Sequence, residues 1–154
     1  MSHIQWSDEL ATGIADIDRQ HRKILEFVNR LDNVKTEPSK VRPILLEMRT
    51  FITFHFRFEE GMLEDAGYPF VRAHRKVHEL MLKRLTELQL QLKAGEDIAF
   101  DLDNFLNGWF YNHMQSDDTA YLSAVKTYLA VSQTKTSITP WKKLIRIFKN
   151  MFRR

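Results

Sequence analysis

The sequence predicts an all-α protein: an up-down-up-down four-helix bundle with an N-terminal arm and an extra C-terminal amphipathic helix. Three observations carry that expectation. Apolar residues recur at helical spacing in successive stretches of the chain. Short breaks rich in turn-forming residues separate those stretches. Gly and Pro number only 5 and 4 in 154 residues, which argues against a turn-rich β fold and against a disordered chain. Amphipathic helices joined by short connections must bury one stripe each against their neighbours, and an antiparallel bundle does that.

The elements follow in order. An arm carrying Ile4, Trp6, Leu10 and Ile14 precedes the bundle and is expected to lie along its surface. The first helix face is Ile17, His21, Ile24, Val28 and Leu31, with steps of 4, 3, 4 and 3. Thr36-Glu37-Pro38-Ser39 breaks it. The second face is Ile44 and Leu45, Met48, Phe51 and Ile52, His55, Glu59, Met62 and Leu63, closed by the turn Asp65-Ala66-Gly67-Tyr68-Pro69. The third is Phe70, His74, Val77 and His78, Met81, Leu85, Leu88 and Leu92, closed by Gly95-Glu96-Asp97. The fourth is Leu102, Phe105 and Leu106, Trp109 and His113. Residues 1–129 form the bundle domain, 130–140 read as a linker, and 141–154 as a separate tail helix.

Charge and composition exclude several functions. The chain has no Cys, so disulfide scaffolds, thiolate metal sites and thiol nucleophiles are ruled out. The net charge of +3 divides unevenly: residues 1–140 hold 17 Lys and Arg against all 20 Asp and Glu, whereas 141–154 hold 6 Lys and Arg and no acid. Residues 1–140, at net charge −3, make a poor nucleic-acid binder. No stretch reaches the ~18 apolar residues of a membrane span, and the first residues lack a signal-peptide pattern, so the expected location is cytoplasmic.

The informative residues are polar ones in apolar stripes. Five of the 6 His, namely His21, His55, His74, His78 and His113, fall on core-facing positions, and Glu59 sits in the second stripe. A buried carboxylate is normally paired or metal-bound. In an antiparallel bundle, side chains at one height are equidistant from the turn that joins their helices. With the first turn centred at 37.5, His21 lies 16.5 residues before it and His55 17.5 after. About the second turn at 67, the His55/Glu59 midpoint lies 10 before and the His74/His78 midpoint 9 after. About the third at 95, that midpoint lies 19 before and His113 18 after. At ~1.5 Å rise per residue these heights agree within about 2 Å. Five imidazoles and a carboxylate therefore converge on one layer.

Imidazole and carboxylate donors without thiolate suit iron, manganese, zinc, copper or nickel. The donors exceed what one tetrahedral zinc uses, so two metals bridged by carboxylate is the economical reading. A second carboxylate is expected just beyond His113. On a regular helix Asp117, at i+4, would share its face.

At these residues the chain resembles the hemerythrin family, in particular its single-domain bacterial members. The resemblance runs from about Trp6 to Tyr121 and rests on G-I-A-D-I-D-R-Q-H (13–21), H-F-R-F-E-E (55–60), G-Y-P-F-V-R-A-H-R-K-V-H (67–78) and W-F-Y-N-H-M-Q-S-D-D (109–118). The ordered set His, His-x3-Glu, His-x3-His, His-x4-Asp is highly specific. The resemblance implies two iron ions (Fe2+/Fe3+) joined by an oxo or hydroxo bridge, with O2 as ligand and reversible O2 binding rather than enzymatic turnover as the function. It implies that His74, His78 and His113 hold one iron, and that His21 and His55 hold the other and leave a position open for O2. It implies Glu59 as one bridge and Asp118, not Asp117, as the second. That choice requires the helix to distort or end between 113 and 118. Around the layer, Phe51, Phe58, Trp109, Leu106 and Met81 are expected to exclude water. Trp109, Leu106, Met81 and Phe110 are the candidate O2-pocket residues. Where the family more often has Leu after this Trp, the chain has Phe110.

The resemblance stops before the tail. There Trp141, Leu144 and Ile145, Phe148, and Met151 and Phe152 recur at helical spacing among Lys142, Lys143, Arg146, Lys149, Arg153 and Arg154. A basic amphipathic helix of this kind fits an anionic membrane surface, at the inner face of the membrane, or a protein partner.

Overall fold

The computed structural model describes residues 5–132. After a 3-10 turn at Asp8–Leu10 come α1 (Ala15–Val34), α2 (Pro38–Asp65), α3 (Val71–Lys93) and α4 (Ala99–Asn112). A π-helical segment, His113–Asp117, then leads directly into α5 (Asp118–Ser132). The architecture is the expected all-α bundle, with α4, the π segment and α5 together forming the fourth rod. Ile4 and the tail helix at 141–154 lie outside the described residues. Helix α5 continues through Ser132, into the first residues of the segment read as a linker. No described helix is long and apolar enough to cross a membrane.

Local chemistry sets the helix limits. Asp18 accepts from the Thr12 amide (2.7 Å), the Thr12 hydroxyl (2.7 Å) and the Gly13 amide (3.1 Å), which ties the arm to the first turn of α1. Pro38 opens α2, where its missing N–H costs nothing. Gly67 (φ +65°) and Gly95 (φ +87°) follow the last turns of α2 and α3 in the left-handed conformation. The amides three residues past each helix end turn back, Tyr68 to the Leu63 carbonyl and Glu96 to that of Gln91, both at 3.0 Å.

Two apolar clusters flank the polar layer. The larger holds Ile24, Val28, Leu31, Leu45, Met48, Phe51, Met81, Leu85, Leu106 and Phe110, with Leu10 of the arm buried and Trp6 packed against it. The smaller holds Ile14, Ile17, Phe58, Met62, Leu63, Tyr121 and Val125. The layer is therefore sealed above and below along the bundle axis. The predicted stripes are buried or half-buried with one clear exception. Phe70 is 65% exposed because it precedes the first turn of α3, where it packs beside Tyr68.

Candidate metal centre

The sequence places one ring from α1, a ring and a carboxylate from α2, two rings from α3, and a ring and a carboxylate from the fourth rod at one height. His21, His55, Glu59, His74, His78, His113 and Asp118 are all at most 6% exposed. His78 Nε2 lies 3.3 Å and His74 Nε2 3.5 Å from Glu59 Oε2. His113 Nε2 lies 3.1 Å from Asp118 Oδ1, and His21 Nε2 lies 3.2 Å from Asp118 Oδ2. His55 Nε2 lies 3.8 Å from Glu59 Oε2. The His21 and His55 rings are 4.9 Å apart, edge to face. Donor atoms of Glu59, His74, His78 and His113 all lie within 4.8 Å of one another.

The outer ring nitrogens explain why the inner ones point inward. His78 Nδ1 donates to Glu60 at 2.8 Å, His113 Nδ1 to Asp117 at 3.0 Å, and His55 Nδ1 to Gln20 at 2.9 Å. An acceptor on Nδ1 fixes the tautomer that leaves the Nε2 lone pair for a metal. Phe56 stacks on His78 (3.7 Å, 3°) and Trp109 on His113 (4.3 Å, 19°), which locks the two ring planes.

The electrostatics ask for a cation. Both oxygens of Glu59 and of Asp118, the Nε2 of His74 and both nitrogens of His21 are buried without a hydrogen-bond partner. Leaving such groups unsatisfied in an apolar interior costs kilocalories each. Burial would raise Glu59, but contact with His74 and His78 outweighs it and holds the carboxyl well below its usual range. Burial and the Glu59 charge push Asp118 well above its usual range. Burial lowers His21 to about 4 and takes His55 well below its ordinary value. Without a cation, protons in the layer must settle the repulsion between the two carboxylates. A pair of dications among five imidazoles satisfies the carboxylate oxygens and the Nε2 atoms of His74 and His21, though not the outer nitrogen of His21, so the residues fit a two-metal centre.

The π segment decides the geometry of the fourth rod. A π turn lets residues five apart share a face, so His113 and Asp118 both reach the layer. Comparison with known proteins gives the family and the fold. The family described as hemerythrin HHE cation binding domain matches residues 12–125. The chain belongs to the hemerythrin family. It is 41% identical over 128 residues to the bacteriohemerythrin of Pseudomonas aeruginosa, covering 82% of this chain and 84% of that one. It is 42% identical over 131 residues to the bacteriohemerythrin of Stenotrophomonas maltophilia, covering 84% and 86%. The crystal structure of a wild-type hemerythrin matches with a TM-score of 0.76 at 26% identity, covering 80% of this chain and 98% of that chain.

Within this hemerythrin fold the seven residues expected as ligands stand together. Asp117, which helical spacing favoured, lies outside the layer. Its side chain is 38% exposed and meets His113 on the outer nitrogen. The four expected pocket residues divide. Phe110 is buried and presents its edge to His21, with centroids 5.9 Å apart. Trp109 is instead against His113 and Phe56, on the side of the three-histidine group. Met81 and Leu106 belong to the larger apolar cluster. Sequence reasoning passed over Gln20, Glu60, Phe56 and Tyr121. Glu60 had a visible signal, because it doubles Glu59 just as Asp117 doubles Asp118. In each doublet one carboxylate faces the layer and its neighbour holds a ring from outside.

Proposed function

We propose that this chain binds O2 reversibly at a di-iron centre, as a carrier, store or local supplier. The supporting observation is the donor set: five imidazoles and only two carboxylates in one buried layer of a hemerythrin-family bundle. In this reading His74, His78 and His113 would hold one iron, His21 and His55 would hold the other, and Glu59 and Asp118 would be shared between them. A bound iron pair would supply the two electrons that reversible O2 binding requires. The chain's own residues do the rest. Imidazoles fill coordination positions that a carboxylate-rich shell would leave for substrates. Phe110 stands beside His21, on the half with fewer protein donors, and limits what enters there. The apolar clusters on both sides withhold the water and protons that would make release irreversible.

The test is optical. Iron-loaded protein, reduced without air, is exposed to O2 and then purged. A ligand-to-iron charge-transfer band that comes and goes over several cycles supports a carrier. A band that decays with oxidation of an added substrate supports a di-iron oxidase or peroxidase. A sensor needs an output partner, for which the tail is the available segment.

The tail supports a separable reading. Its six cations, without an acid, alternate with bulky apolar residues, which suits attachment of the bundle to the anionic inner face of a membrane. Full-length chain should pellet with vesicles containing phosphatidylglycerol, and a chain ending at Thr139 should not. Equal pelleting of the two removes the membrane role and leaves a protein partner.

A further inference from the structure

The two halves of the layer differ in what stands behind them. Behind His78 and His113 are two carboxylates, Glu60 at 2.8 Å and Asp117 at 3.0 Å. Glu60 is itself fixed by Arg75, whose Nε donates to Glu60 at 2.9 Å and whose other arm holds Glu64. Behind His55 is a neutral amide, Gln20 at 2.9 Å, and His21 Nδ1 has no hydrogen-bond partner. The acid one turn before His21, Asp18, is engaged by Thr12 and Gly13. The donors of Glu59, His74, His78 and His113 already lie within 4.8 Å of one another, whereas the other half has two rings: His55 Nε2 stands 3.8 Å from Glu59, and beside it His21 Nε2 lies 3.2 Å from Asp118.

We propose that the centre loads in a fixed order: a single divalent cation first takes the Glu59–His74–His78–His113 half, and Glu60 and Asp117 are the positioning residues that set this preference. The inference rests on the two-metal reading above.

The physics has three parts. A carboxylate accepting from Nδ1 makes the imidazole a stronger donor, and loss of such a partner typically weakens metal affinity 10–100-fold. Three rings and one carboxylate supply the donor number of a four-coordinate ion. Once that ion is in place it draws on the charge of Glu59 and Asp118, so the second ion meets a less anionic layer with two rings instead of three. The intermediate is a protein carrying one ion, and the His21–His55 half is the exchangeable one.

The experiment is a titration of metal-free, full-length protein with Co2+ alone, followed by visible absorption and calorimetry. Two steps of one ion each are expected, the first at least tenfold tighter. Glu60→Gln and Asp117→Asn should each weaken the first step 10–100-fold and leave the helical circular dichroism unchanged. His113→Ala should remove the tight step, and His55→Ala the weaker one. Gln20→Glu, which places a carboxylate behind His55, should bring the second step toward the first. A single cooperative uptake of two ions overturns the order while leaving the two-metal reading intact. So does equal weakening of both steps by Glu60→Gln, or loss of the tight step in His55→Ala. Failure to bind any Co2+ overturns the two-metal reading itself.

Discussion

In α2 and α3 the inward-facing donors come in pairs four residues apart, His55 with Glu59 and His74 with His78, on uninterrupted helix. In the fourth rod His113 and Asp118 are five apart, and a π turn brings them to one face. The difference shows two ways of aiming side chains. Regular helix places donors by phase alone, so a pair can occur only at i,i+3 or i,i+4. The π turn absorbs one additional residue, and that residue gives the rod a second carboxylate: Asp118 meets the inner nitrogen of His113 at 3.1 Å while Asp117 meets the outer one at 3.0 Å.

The comparison breaks most sharply under single-residue deletion. Removing Arg57, an exposed residue between His55 and Glu59, turns everything after it by about 100° against the preceding face. Glu59, Met62 and Leu63 then leave the core, and loss of the folded protein is expected. Removing Ser116, exposed inside the π turn, should instead relax the segment to α-helix and keep Tyr121 and Val125 in their cluster. Thermal unfolding followed by circular dichroism checks both. Equal damage from the two deletions would mean that the π turn is not a tolerated insertion.

The doublet makes the next prediction. Asp118→Ala removes a carboxylate that faces both His113 and His21, so the protein should retain at most one metal ion per chain. Asp117→Ala should retain two, with affinity weakened 10–100-fold through His113. Metal content after gel filtration distinguishes them. Two ions kept by Asp118→Ala and lost by Asp117→Ala would reverse their roles.

This contrast also explains what could be read from the chain. The four stripes, the three turns and five histidines at one height follow from phase and chain length, because α1, α2 and α3 are regular and their turns carry Gly67, Gly95 and Pro38 where helices must stop. Asp118 did not follow, since regular phase points to Asp117. Only the resemblance to a family supplied it, together with the demand for a distorted helix. Gln20 and Phe56, and the partner of Glu60 though not its doublet with Glu59, were hidden for another reason. Their roles depend on rings from other helices, Glu60 and Phe56 both meeting His78 of α3, and such pairings need packing distances that periodicity does not contain. The exposure of Phe70 was also illegible, because a stripe position just before a helix start has the right spacing but no neighbour to cover it.

Protons separate α1 and α2 from α3 in a third way. His21 of α1 is lowered by burial to about 4, and His55 of α2 falls well below its usual value for the same reason. A ring whose folded value is depressed stays neutral in the fold while the unfolded chain takes up a proton. That stability is fully present above about pH 6.5 and drains as pH falls toward 4, by about 3 kcal/mol for His21 alone. His78 has the opposite sign. Burial would lower it, but Glu59 and Glu60 raise it to about 9, so its contribution is present below 6.5 and lost as pH rises through 9. Denaturant midpoints of metal-free protein should therefore peak near pH 6.5 and decline on both sides. His21→Asn should flatten the acid limb. An acid limb unchanged in that variant would assign it elsewhere.

The smallest effect is expected at the last regular turn before the break. Phe110 is 2% exposed and stands edge-on to His21 at 5.9 Å, so it belongs to the lower-donor half although it is carried by the interrupted rod. Phe110→Leu removes part of a ring from a packed site and should cost about 1–2 kcal/mol of stability, less than a truncation to Ala. The space it vacates adjoins His21, not the Trp109 face against His113. Stopped-flow association and dissociation of O2 with the iron-loaded variant should both accelerate several-fold, with metal content unchanged. Trp109→Phe, on the other side, should change the rates less. Rates equal to the parent in Phe110→Leu would remove this residue from the pocket and place the narrowing of the O2 position on the regular helices alone.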